Sequence, residues 1–125
     1  MLDSSLHAFD GAHQLLQPGE LGLCLLTDGR FFTRNVDGTG STGIWVLNPQ
    51  RQVDRIIIFH QVQRQERREV DLYTALPDGA TGPDADGRYT LHLREVQQAG
   101  TTDKRWQEFA QAGSNPVRYL TGISP

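Results

Sequence analysis

The chain has 125 residues, of which 37% are hydrophobic and 22% are charged, and its formal net charge is −3. A chain of this length can bury a core without disulfides or a structural metal, so we expect one globular domain over residues 1–125. No segment approaches the roughly 20 apolar residues of a membrane-spanning helix, which excludes a spanning segment. The first residues lack a secretory pattern and the lone Cys24 lies in an apolar run, so we expect a cytoplasmic location and a core position for Cys24.

The first third of the chain predicts a helix followed by a hairpin. Apolar residues recur at helical spacing over about 3–16, after a capping Asp or Ser. Strands are expected over 20–27 and 30–34, joined by Asp28-Gly29, a dipeptide suited to a two-residue turn. Because residues 21–26 are apolar on both faces, the first strand should lie centrally and be covered on both sides.

A glycine-rich segment over 35–43 precedes the next predicted strand, 44–47. A phosphate-binding loop needs backbone amides at a helix N-terminus and usually a lysine. This segment leads into a strand and contains no Lys or Arg, so we interpret it as a flexible connection.

The middle of the chain predicts a hairpin with arginines at its tip. A strand over 53–62 contains an apolar run, Arg64, Arg67 and Arg68 follow, and a second strand covers 69–76. Arginines at a hairpin tip are compatible with nucleic acid, an acidic partner, a dimer contact or simple solvation.

The last third predicts a loop, a strand, a helix and a final strand. Residues 77–87 are rich in Pro, Asp and Gly and are expected to form a long mobile loop before a strand over 88–96. A helix from Thr101 or Thr102 to Gly113 should dock Trp106 on the sheet, and 117–120 should add a short strand. The pattern predicts an α+β protein: a mainly antiparallel, strongly curved sheet of six or seven short strands, with a helix near each terminus.

Charge is unevenly distributed along this chain. Residues 51–69 carry five arginines and three carboxylates, whereas the next stretch has four aspartates before its first basic residue, Arg88. Such a dipole can steer a polyanion, or it can pair the basic end of one protomer with the acidic loop of another.

Catalytic and metal-binding patterns are weak. His60, His92 and Asp71 lie on predicted strands and would form a metal or acid/base cluster if strand pairing brought them together, although their spacing matches no known metal motif. There is no serine-hydrolase elbow. Trp45 and Tyr73 either line a pocket for a flat ligand or pack in the core, and the sequence leaves both interpretations open.

The favoured function is therefore a non-catalytic binding module without a cofactor or metal. Its arginine hairpin and sheet surface would contact RNA, single-stranded DNA or an acidic protein. A structural protein that forms a homo-oligomer is the alternative. An enzyme that uses the two histidines and Asp71 ranks third. The candidate binding residues are Arg64, Arg67, Arg68, Arg88, Arg94, Tyr73 and His92.

Overall fold

The computed structural model describes residues 7–48, 50–111, 113 and 115–122. Its elements in chain order are β1 (His7–Ala8), a 3₁₀ turn (Ala12–Leu15), β2 (Leu21–Thr27), β3 (Phe32–Arg34), β4 (Gly40–Trp45), β5 (Arg55–Arg64), β6 (Arg67–Thr81), β7 (Tyr89–Thr101), α1 (Trp106–Phe109) and β8 (Val117–Thr121). They build one mixed sheet with the strand order β3-β4-β7-β6-β5-β2-β8, and β1 pairs with β7.

The prediction of a sheet-rich, mainly antiparallel protein is confirmed in outline, but three details are wrong. The sheet is mixed, because β2 and β5 run parallel. It is not strongly curled, and its path is open, with β3 and β8 at the two ends. Nor are all strands short, since β6 has 15 residues and β7 has 13.

The two predicted terminal helices are also wrong. Near the N-terminus the described residues form the short strand β1 and a four-residue 3₁₀ turn, and the start of that predicted helix lies outside the described residues. Near the C-terminus α1 has only four residues. The apolar residues whose spacing suggested helices lie in short segments instead. Each segment packs a few side chains against the sheet, such as Ala12, Trp106 and Phe109.

The hairpin predicted at Asp28-Gly29 does not form. β2 pairs with β5 and β8, while β3 pairs with β4 at the far end of the sheet. The physical reason is burial: the apolar runs of β2 and β5 are both covered on two faces, so they lie side by side. The expected cover on both faces of β2 is confirmed, since Cys24 enters one core and Leu23 and Leu25 enter the other. Its expected central position is wrong, because β2 lies next to the edge strand β8.

A hydrophobic core covers each face of the sheet. On one face Cys24, Ile57, Phe59 and Leu72 pack against the helical segments. On the other face lies the second core, with Leu23, Leu25, Trp45, Ile56, Ile58, Tyr73, Ala75, Leu91 and Leu93. Neighbouring residues of one strand therefore enter different cores, as the two-residue period of a strand requires.

The acidic loop is shorter than predicted. β6 continues through Thr81 and β7 begins at Tyr89, so only residues 82–88 connect them. β7 also continues to Thr101, beyond the predicted end of this strand at residue 96. Register shifts in the β6–β7 ladder absorb the Pro and Gly residues that suggested a loop. The basic tip and the acidic loop consequently lie at opposite ends of β6, about 50 Å apart along the strand at about 3.3 Å per residue.

Candidate anion-binding surface

The predicted arginine hairpin is present. Gln65 and Glu66 form its two-residue turn, both with positive φ (49° and 66°), and Arg64 is paired with Arg67 across it. Positive φ at both central residues gives the turn that matches the twist of antiparallel strands. The three arginines thus lie at the ends of β5 and β6 rather than in a loop.

Arg64 forms ion pairs with two carboxylates of its own hairpin. Its Nη2 donates to Asp71 Oδ2 at 2.7 Å, and its Nη1 donates to Asp71 Oδ1 at 3.2 Å and to Glu69 Oε2 at 2.9 Å. These partners raise the pKa of the Arg64 guanidinium, with the Asp71 hydrogen bonds as the largest cause. Within the described part of the chain, Arg67 and Arg68 form no ion pair and are exposed.

Arg68 lines an open groove of about 360 Å³ together with Lys104 and Arg105. The groove lies on the face of the sheet that carries Val70 and Trp106, and its remaining lining residues are Leu26, Gln61 and Gln107. Among the residues that the structure describes, no acidic side chain lines this basic groove. Arg105 Nε lies 3.7 Å from Glu108 Oε1, and both of these side chains are largely exposed.

The segment that carries Lys104 and Arg105 is fixed by its neighbours. Thr102 Oγ1 accepts a hydrogen bond from the Lys104 backbone N–H at 3.1 Å. Trp106 Nε1 donates to the Asn115 carbonyl at 2.7 Å, and its ring centroid lies 5.5 Å from that of Phe59. The docking of Trp106 on the sheet, predicted from sequence, is confirmed, and it holds the two cations beside Arg68.

Lys104 and Arg105 were missed by the sequence interpretation. The visible signal was a basic dipeptide directly before a tryptophan, which was assigned only to a helix start. Tertiary packing brings this dipeptide to residue 68, more than 30 positions earlier in the chain.

The other predicted binding residues do not join this groove. Arg88 lines a separate opening with Phe31, Ile44 and Val46, and Arg94 forms an ion pair with Glu95 at 2.8 Å. Tyr73 is buried in the second core, where burial raises its pKa and the Arg34 guanidinium lies 4.6 Å from its ring centroid. Trp45 belongs to the same core, but it also lines the opening that contains Arg88.

Two of the three residues of the predicted histidine cluster lie close together, and the third, His92, does not. His60 and Asp71 are directly opposite each other on β5 and β6. His92 is exposed and lies near the start of β7. Asp71 pairs with Thr101 at the other end of β7, so roughly 30 Å along the strand separates His92 from that pair. His92 Nε2 is hydrogen-bonded to Thr81 Oγ1 at 2.7 Å. Among the described residues, no group of three or more His, Cys, Asp or Glu side chains is arranged to hold a metal ion.

His60 lies beside the second core, where it contacts one hydroxyl and two aromatic rings. Its Nδ1 is hydrogen-bonded to the buried hydroxyl of Thr27, and its ring packs against Phe32 and Tyr73 at centroid distances of 5.3 and 6.3 Å. Burial lowers the pKa of His60, and this effect exceeds the opposing influence of Asp71. The surroundings therefore favour a neutral, structural imidazole.

Comparison with family models, with curated proteins and with solved structures gives no match. In the described part of the chain, no helix is long and apolar enough to cross a membrane.

Proposed function

We propose that this protein is a non-catalytic binding domain that holds a phosphate-bearing partner, RNA or single-stranded DNA, in the basic groove. The observation that carries the proposal is the convergence of Arg68, Lys104 and Arg105 on one groove that, in the described part of the chain, no carboxylate lines. Phosphate contacts supply most of the affinity in nucleic-acid binding and come mainly from Arg and Lys.

The chemistry of the groove suits a nucleotide strand. The three cations can neutralise successive phosphates, and the Gln61 and Gln107 amides can hydrogen-bond sugar or base edges. Leu26 and Val70 offer an apolar floor for sugar or base carbons. Because the acidic loop lies at the opposite end of β6, its charges do not oppose a polyanion at the groove.

The test is fluorescence anisotropy with short labelled single strands of RNA and DNA over a range of salt concentrations. For three phosphate contacts, the slope of log K against log salt is expected to be about −2. R68A/K104A should reduce its magnitude by roughly 1.4. The matched control, R88A/R94A, removes the same charge elsewhere and should bind like the wild type.

Two results would oppose the proposal. Equal losses in the two double variants would show that only overall charge matters. Displacement of the labelled strand by an acidic peptide as efficiently as by unlabelled RNA would indicate an acidic protein as the partner instead.

A homo-oligomer is the second candidate, favoured by exposed apolar side chains at one opening. Phe31, Ile44 and Val46 are 48%, 41% and 65% exposed there, beside Pro116 and Val117 next to the open edge of β8. Exposed edges and apolar patches are typical of surfaces that pair with another chain. Light scattering of the wild type and V46D tests it: a dimer that V46D converts to monomer would support assembly, and a wild-type monomer would end it.

A further inference from the structure

A second concave site lies on the opposite face of the sheet from the basic groove. It is a pocket of about 220 Å³. Its floor is formed by Leu23, Ile56 and Leu91, all buried members of the second core. Leu47 and Val53, from the segment between β4 and β5, contribute further apolar walls.

Among the described residues that line this pocket, one side chain is charged, that of Arg51. The Arg51 guanidinium lies 4.3 Å from the ring centroid of Tyr119, which also lines the pocket. The Tyr119 hydroxyl accepts a hydrogen bond from the Asn48 backbone N–H at 3.2 Å, which ties the ring to the segment that carries Arg51. In the part of the chain that the structure describes, Arg51 forms no ion pair, so its hydrogen-bond donors are not engaged by a carboxylate.

We propose that this pocket binds a small monocarboxylate with one aromatic ring or a short alkyl chain. Ligand sites are typically apolar cavities with a few polar groups that fix orientation. A guanidinium with free donors matches a carboxylate by paired hydrogen bonds, so the ligand's acid group lies at Arg51 and its apolar part lies on the floor. An apolar cavity of about 150 Å³ can hold benzene, so about 220 Å³ accommodates one ring with a short substituent.

The size of the pocket also restricts its ligands. Sites for drug-sized molecules are about 300–1,000 Å³, so a second ring or a long alkyl chain would extend out of the pocket. A dicarboxylate should bind poorly as well, because its second charge would be desolvated against Leu23 and Ile56 without a partner.

Isothermal titration calorimetry of the intact protein with phenylacetate and hexanoate tests the site at ligand concentrations up to about 1 mM. Phenylacetamide is the neutral probe of the same shape. R51Q should weaken phenylacetate binding about tenfold or more and leave phenylacetamide binding unchanged. The control is R94Q, which removes a positive charge outside the pocket and should bind phenylacetate like the wild type.

A second variant separates the pocket from a surface effect. Ala80 is exposed and lines the pocket, so A80F should block it without disturbing the core. If A80F binds neither phenylacetate nor phenylacetamide, the result supports the site. The proposal is overturned if the wild type binds neither carboxylate, if R51Q binds phenylacetate as tightly as the wild type, or if A80F binds normally. These outcomes are independent of nucleic-acid binding by the basic groove.

Discussion

His60 and Asp71 lie directly opposite each other on β5 and β6, yet both oxygens of the Asp71 carboxylate accept hydrogen bonds from Arg64. The imidazole is instead hydrogen-bonded to Thr27. A pair that resembles an acid/base dyad in the sequence is therefore divided between two structural interactions. Arg64 neutralises the nearly buried carboxylate, and Thr27 fixes the histidine ring.

Arg64 is expected to stabilise the hairpin, unlike its neighbour Arg67. R64A leaves the Asp71 carboxylate buried without its cation, and a buried unpaired charge is costly. R67A removes an exposed side chain that forms no ion pair in the described residues, so the free energy of unfolding should hardly change. In urea denaturation, R64A should unfold at a clearly lower midpoint than R67A. Equal midpoints would contradict the structural role of Arg64.

His60 should make the protein less stable in mild acid. Because the pKa of His60 is lowered in the folded state, the unfolded chain binds a proton first as the pH falls below about 6.5. The stabilising contribution of the neutral imidazole is present above that pH. This contribution is lost as the pH falls from about 6.5 to the lower pKa that His60 has in the folded state. Urea midpoints measured from pH 7.5 to 5.5 should therefore fall for the wild type and fall less for H60Q. Parallel curves would contradict this assignment.

A second loss of stability is expected at lower pH. The Arg55 side chain, hydrogen-bonded to Glu20 at 2.9 and 3.1 Å, lowers the pKa of that carboxyl. The stabilisation is present above pH 4.5, the ordinary value, and is lost as the pH falls through the lowered one. E20Q should reduce the acid-induced loss of stability below pH 4.5, as measured by circular dichroism, without altering the change that is due to His60.

Cys24 should be unreactive in the native protein. The thiol is fully buried between β5 and β8, and burial raises its pKa, so the thiolate needed for reaction is scarce. A thiol-specific reagent should label the native protein slowly and label it fully in urea. Rapid labelling under native conditions would show that this part of the sheet opens, and would contradict the core assignment of Cys24.

Trp106 is expected to contribute strongly to stability. W106A removes a side chain that is 2% exposed and packs on Phe59, and it should cost about 3–5 kcal/mol. W106F retains most of the apolar contact but leaves the Asn115 carbonyl without its donor, which should cost about 1–3 kcal/mol. Urea unfolding of both variants measures the difference, and similar small losses in the two would show that the indole is not a core anchor.

Several elements could be predicted from the sequence because their residues carry a local signal. The apolar runs of β2 and β5 required cover on both faces, the position of Cys24 followed from its neighbours, and the arginine hairpin and β8 lie where their patterns predicted. In each case the determining residues are adjacent or alternate along one strand, so burial depends on the local pattern.

The pairing of strands and the contacts between distant side chains could not be predicted from the sequence, because they depend on the tertiary structure. The Asp28-Gly29 signal is local, but β2 pairs in parallel with β5, and the apolar runs of both strands are buried in the two cores. The same long-range packing brought Lys104 and Arg105 to Arg68, and Arg51 to Tyr119. Contacts between residues far apart in the chain depend on sheet order, and a single sequence does not encode sheet order in any short pattern.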